Sequence, residues 1–262
     1  MNKQPIGIFD SGVGGTTVWR EIHKAMPYES TIYLADSRNA PYGERSKEAI
    51  VELSVKNTEL LLEMGSKMIV VACNTATTNA IDHLRRTYDV PFIGIEPAIK
   101  PAALKSSNKA VGVLATKGTL SSDLFAKTSG NYAGGIKVVE QMGEGLVPLI
   151  EKGLIDSDEM TALLDRYLSP MVTANIDYLV LGCTHYPYLI QRMREFLPES
   201  VAIIDSGAAV ARRTKFVLEE HELLNTVKNT PELRFYTNAD EVLLRSFLKD
   251  VSQEHVVEYK DF

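Results

Sequence analysis

The chain of 262 residues is 45% hydrophobic and 24% charged, the balance of a folded globular protein, which excludes a disordered or collagen-like polymer. Its 28 Lys and Arg against 34 Asp and Glu leave a net charge of −6 without a block of one sign, so sequence-independent nucleic-acid binding lacks its driving force. No apolar run approaches the roughly 18 residues of a membrane span, and the start MNKQPIGIFD lacks an export-signal core, so a cytoplasmic location is expected. In that reducing compartment the two cysteines, Cys73 and Cys183, are expected to be free thiols.

From the N-terminus, β-branched runs alternate with amphipathic stretches. Strands are expected at 6–9, 31–34, 68–72 and 92–94, with helices at 17–26, 47–64 and 76–88. The segment EPAIKPA at 96–102 carries two prolines and reads as a hinge, with a boundary near Pro97. Beyond it come strands at 110–114, 136–140, 178–181 and 201–204 and helices at 157–174, 189–196 and 208–224. A strand at 233–237 and a last helix at 239–247 close the series. The pattern implies an α/β protein of two similar lobes, each a mostly parallel sheet flanked by helices. Residues 1–97 plus about 208–262 are assigned to the first lobe and 98–207 to the second.

Two short signatures each occur twice. IFDSG at 8–12 is matched by IIDSG at 203–207, and VVACNTA at 70–76 by VLGCTHY at 180–186. Pseudo-twofold symmetry between the lobes explains both pairs, and it places the active site in the cleft between them. Ligands of open α/β sheets sit outside the carboxyl ends of strands, which is where both cysteines fall. Each cysteine also precedes an expected helix, whose N-terminal dipole should lower the thiol pKa. Considered alone, either is equally well explained as a small buried hydrophobe. As a pair they acquire partners: His185 stands two residues beyond Cys183, and Asp10 ends the strand expected beside Cys73.

Opposed thiols suit inversion at a carbon, one removing a proton from one face while the other donates to the opposite face. Ser11, Asn74, Thr75 and Thr184 offer neutral donors for a carboxylate, and Asp10 an acceptor for an ammonium group, although Ser, Thr and Asn are also ordinary helix caps. The turn GVGG at 12–15 invites a dinucleotide reading, with Asp36 as the ribose-binding acid. Thr17 stands where the third glycine belongs, and Asp10 and Ser11 intervene where a pyrophosphate would approach. A tight strand-to-helix turn accounts for the glycines instead.

The ordered set FDSGVGG at 9–15, ADSRNAPYG at 35–43, ACNTAT at 72–77, IGIEPA at 93–98, ATKGTL at 115–120 and LGCTHYP at 181–187 resembles bacterial glutamate racemases. The resemblance implies interconversion of L- and D-glutamate by a two-base mechanism without a cofactor, supplying D-glutamate for peptidoglycan. It implies that Cys73 acts on the D-enantiomer with help from Asp10, and Cys183 on the L-enantiomer with help from His185. Asp10, Ser11, Tyr42, Gly43, Asn74, Thr75, Thr184 and His185 become the substrate contacts. Asp36 and Glu151 resemble family acids near the site, with Thr116 and Thr119 as further contacts from the second lobe. Glu151 reads equally well as a solvated helix acid. A homodimer is the family expectation. Aspartate racemisation and a two-lobe amino-acid binding protein are the alternatives, but binding alone has no need of a thiol from each lobe. A disulfide-exchange role lacks C-x-x-C, and no lysine for a pyridoxal Schiff base lies in the matched motifs.

Overall fold

The computed structural model describes residues 4–132 and 135–262. The first three residues of the segment read for an export signal lie outside them. The chain opens with β1 (Ile6–Asp10), α1 (Thr16–Ala25), β2 (Thr31–Ala35), α2 (Lys47–Glu63), β3 (Met68–Val71), α3 (Asn74–Thr87), β4 (Phe92–Gly94) and α4 (Ile99–Lys105). It continues through β5 (Ala110–Ala115), α5 (Lys117–Leu120), α6 (Asp123–Tyr132), β6 (Lys137–Met142), α7 (Leu146–Ile150), α8 (Asp158–Thr173) and β7 (Tyr178–Gly182). Last come α9 (Ile190–Met193), β8 (Ala202–Ile204), α10 (Gly207–Glu220), β9 (Leu233–Thr237), α11 (Glu241–Ser246) and β10 (Val256–Tyr259).

Two sheets result, one of six strands in the order β10-β9-β2-β1-β3-β4 and one of four in the order β6-β5-β7-β8. Every pairing is parallel. Parallel sheets need both faces covered, which is why IGIFD and MIVV are apolar runs rather than alternating ones; all residues of β1 and β3 are buried. Helix α10 packs on α1, and α2 on α3. Ser46 caps α2 and Ser157 caps α8, each accepting a backbone N–H through its hydroxyl oxygen.

The two orders share one core, β2-β1-β3-β4 in the first sheet and β6-β5-β7-β8 in the second. The equivalent of β3 with Cys73 is therefore β7 with Cys183, as the cysteine repeat implied. The Asp-Ser-Gly repeat does not correspond: Asp10 ends the interior strand β1, whereas Asp205 follows the edge strand β8. Asp205 is exposed and accepts the Gly207 N–H at 2.7 Å, a local cap at the start of α10. The equivalent of the β1 end is instead the β5 end, which leads into Thr116.

Other expectations are corrected at short elements. The segment read as a hinge is irregular over 96–98 and enters α4 at Ile99, where Pro101 is tolerated because a first-turn backbone N–H has no helical partner to lose. The helix expected at 189–196 is a 3₁₀ turn at Tyr186–Leu189 leading into the single turn of α9, and the helix at 239–247 shortens to α11. Strand β10 was not anticipated, since three of its four residues are exposed at the sheet edge. No helix among the described residues is long and apolar enough to cross a membrane.

Candidate active site

The carboxyl ends of both sheets converge on one small, tightly closed pocket, lined by Ser11, Pro41, Tyr42, Gly43, Cys73, Asn74, Thr75, Thr116, Val147, Cys183, Thr184 and His185. Nine of the ten residues expected at the site line it. The tenth, Asp10, stands behind the wall with no exposed surface. Its Oδ2 accepts the Gly15 N–H at 2.8 Å, and its Oδ1 accepts the Thr184 hydroxyl at 3.3 Å. Burial pushes the Asp10 carboxyl up to about 6, opposed by the charge of His185 and the Gly15 N–H and reinforced by Glu151.

Cys73 is the N-cap of α3, its Sγ accepting the Ala76 N–H at 3.4 Å. Ser11 Oγ lies 3.7 Å from the same sulfur. The expectation of a lowered pKa fails here. Burial pushes the Cys73 thiol well up, the Asp10 carboxylate adds to this, and the helix N–H and Ser11 offset only part. After Cys183 the chain forms a 3₁₀ turn, not the long helix expected there. The partner of Cys183 is His185, whose Nδ1 lies 3.8 Å from Sγ. Both thiols are free and buried.

The other ring nitrogen of His185, Nε2, is 2.5 Å from Glu151 Oε1, a contact that requires a proton between them and leaves Nδ1 facing Cys183. Burial opposes the imidazolium, but Cys183 and Glu151 together outweigh it and hold His185 well above its ordinary pKa. Glu151, at the C-terminus of α7, accepts the Val13 N–H through Oε1 at 2.7 Å and the Ser37 hydroxyl through Oε2 at 2.9 Å. It is thus no solvated acid: its carboxylate joins the second lobe to the first. The glycine turn makes room for this. A Cβ at Gly12 would collide with the Glu151 carboxylate, and one at Gly14 with the His185 ring.

On the opposite wall, Thr75 Oγ1 lies 2.8 Å from Thr116 Oγ1 and 3.2 Å from Thr119 Oγ1, a hydroxyl cluster spanning the lobes. Thr116 lines the cavity, and Thr119 lies fully buried behind it. The Tyr42 hydroxyl does not face the cavity as a donor, since it donates to Asp36 Oδ2 at 2.5 Å. Asp36 Oδ1 accepts from Asn39 at 2.8 Å and Asn238 at 2.5 Å, so Asp36 is a buried clamp that positions the 41–43 turn. A carboxylate so engaged is committed to protein donors, which counts against its serving a ribose. Pro41 and Val147 were not anticipated, and an isolated proline or valine carries no sequence signal for lining a site. Among the described residues no group of three or more His, Cys, Asp or Glu is arranged to hold a metal ion.

The Asp/Glu/Hydantoin racemase family model matches residues 6–214. A glutamate racemase of Cupriavidus pinatubonensis is 46% identical over 245 residues, covering 94% of this chain and 90% of that protein. Among solved structures, a glutamate racemase isoform from Bacillus anthracis superposes with a TM-score of 0.89 at 31% identity, covering 100% of this chain and 99% of the other. The Escherichia coli glutamate racemase, solved in complex with L-glutamate and the activator UDP-MurNAc-ala, gives a TM-score of 0.87 at 35% identity over 98% of each chain. With two parallel-sheet lobes meeting at a pair of thiols, the chain belongs to the Asp/Glu/Hydantoin racemase family and is an isomerase of its glutamate racemase branch.

Proposed function

We propose that this chain interconverts L- and D-glutamate by two-base proton transfer between Cys73 and Cys183, with no cofactor. The observation that carries the reading is the pair of thiols, one at the carboxyl end of β3 and one at that of β7, lining a single cavity. One thiolate takes the Cα proton as its S–H bond forms, leaving a planar carbanion, and the opposite thiol delivers its own proton to the other face. Each turnover exchanges the protonation states of the two sulfurs. Asp10 on the Cys73 side and His185 on the Cys183 side return them, both having raised pKa values suited to holding a proton near neutrality. Following the family resemblance, Cys73 serves the D-enantiomer and Cys183 the L-enantiomer.

The substrate's carboxylates are bound by neutral donors from Ser11, Gly43, Asn74, Thr75, Thr116 and Thr184, two of them, Asn74 and Thr75, at the N-terminus of α3. Among the described residues no lysine lines the cavity, so these walls offer no amine for a pyridoxal Schiff base. The bound L-glutamate of the E. coli relative supports glutamate as the substrate. The same reading includes supply of D-glutamate for peptidoglycan, a cytoplasmic setting, a homodimer, and lobe boundaries at 97/98 and near 207/208. The packing of α10 on α1 supports returning the C-terminal segment to the first lobe.

Circular dichroism of glutamate solutions tests the reading. The purified protein should abolish the signal from either enantiomer, and Cys73→Ser and Cys183→Ser should each slow this by about 100-fold or more. A serine variant that retains the wild-type rate would refute the thiol assignment, and activity on aspartate but not glutamate would refute the substrate.

A further inference from the structure

The two thiols are supported in different ways. Around Cys73 the contacts on the sulfur itself come from the first lobe, from Ser11 and Ala76, while Asp10 accepts the Gly15 N–H at 2.8 Å from its own lobe and the Thr184 hydroxyl at 3.3 Å from the other. Around Cys183 the support is completed from across the cleft. His185 is aimed by Glu151, and both belong to the second lobe, but the Glu151 carboxylate is itself held by the Val13 N–H at 2.7 Å and the Ser37 hydroxyl at 2.9 Å, both from the first. These cross-lobe bonds exist only while the lobes are in contact.

Resting on the two-thiol reading above, we infer that Ser37 is a positioning residue: it holds Glu151 across the cleft, so that the meeting of the lobes aims His185 at Cys183, whereas Ser11 and Ala76 reach Cys73 from its own lobe. Ser37 does not line the cavity and acts only through Glu151 and His185. Its hydroxyl is the sole side-chain donor recorded on Glu151 Oε2 among the described residues. Ser37 is only partly buried, and threonine is the conservative variant that keeps its hydroxyl.

The test compares wild type, Ser37→Ala and Ser37→Thr by steady-state kinetics with α-protiated and α-deuterated L- and D-glutamate. Loss of a hydrogen bond to a carboxylate should lower kcat of Ser37→Ala by roughly tenfold in both directions. The isotope effects should separate. With L-glutamate, Cys183 breaks the Cα–D bond in the slowed step, so the primary effect should rise. With D-glutamate, Cys73 breaks that bond before the slowed step, so the effect should fall. Ser37→Thr retains the donor and should restore rate and isotope effects, and thermal midpoints should agree across the three proteins. Wild-type kinetics in Ser37→Ala, or isotope effects that move together for both enantiomers, would overturn the inference. Absence of glutamate turnover in the wild type would instead refute the underlying function, so the two failures are distinguishable.

Discussion

Asp10 shows how a single side chain can cost stability for the sake of chemistry. Its carboxyl stands at about 6 in the fold against an ordinary 3.8, because burial disfavours the anion more than Gly15 and His185 favour it. A group whose folded pKa is raised favours folding below its unfolded pKa, and that contribution is lost as pH rises through the folded value. At pH 7.5 the ionised Asp10 therefore costs the fold on the order of 3 kcal/mol relative to its acid form. Asp10→Asn should raise the thermal midpoint relative to wild type at pH 7.5, with the advantage shrinking between pH 6 and 4, the window set by the two pKa values. Turnover should fall by at least about tenfold, since Cys73 loses its proton carrier. An unchanged midpoint at pH 7.5 would show that Asp10 is not ionised at a cost there. Gly14 makes the complementary case, because a methyl group there meets the His185 ring. Gly14→Ala should lower kcat by about 100-fold and also lower the thermal midpoint, because the buried ring must shift, a result checked by paired kinetics and calorimetry.

At the scale of elements, the site is held from below as well as from the strand ends. Lys67, just before β3, pairs with Glu29 at 2.7 Å, with the two side chains only 1% and 3% exposed. Lys67 also donates to Leu223 O at 2.9 Å, and Glu29 accepts the Asn225 N–H at 2.6 Å. This links the amino end of β3 to the segment after α10. Removing one partner leaves the other charge buried alone, so Lys67→Met should lower unfolding stability by about 3–5 kcal/mol, read as a drop in the urea midpoint. Activity per folded molecule should persist, because the cavity lies at the opposite end of the strands. An unchanged midpoint would contradict the link.

The elements that built the site were the ones most legible in the sequence. Fully buried parallel strands such as β1 and β3 appear as continuous apolar runs, and their ends fix where Asp10 and Cys73 stand. Single-turn helices such as α5, α7 and α9 are too short for a 3.6-residue period to show, and β10 is too exposed to alternate. What the sequence concealed was pairing across the cleft. Nothing in the spacing of Ser37 and Glu151, 114 residues apart, announces a hydrogen bond. The Asp-Ser-Gly repeat was misleading for the reverse reason, since five like residues fell on strands of different sheet position.

For the whole molecule, two sheets with the same four-strand core present matching strands, β3 and β7, each ending in a thiol beside one cavity. On the proposed mechanism this geometry gives one base to each face of the substrate, and the contact between lobes becomes part of the chemistry, since Glu151 and the Thr75, Thr116 and Thr119 hydroxyls bridge them. The central claim is that two different groups, rather than one, handle the Cα proton. The most direct measurement is the early time course in D₂O, starting separately from L- and D-glutamate and following deuterium at Cα of substrate and product by mass spectrometry. Two bases predict that newly formed product carries solvent deuterium while recovered substrate remains protiated, from either enantiomer. Recovered substrate that gains deuterium as fast as product forms would show a single base returning protons to both faces, and would contradict the account.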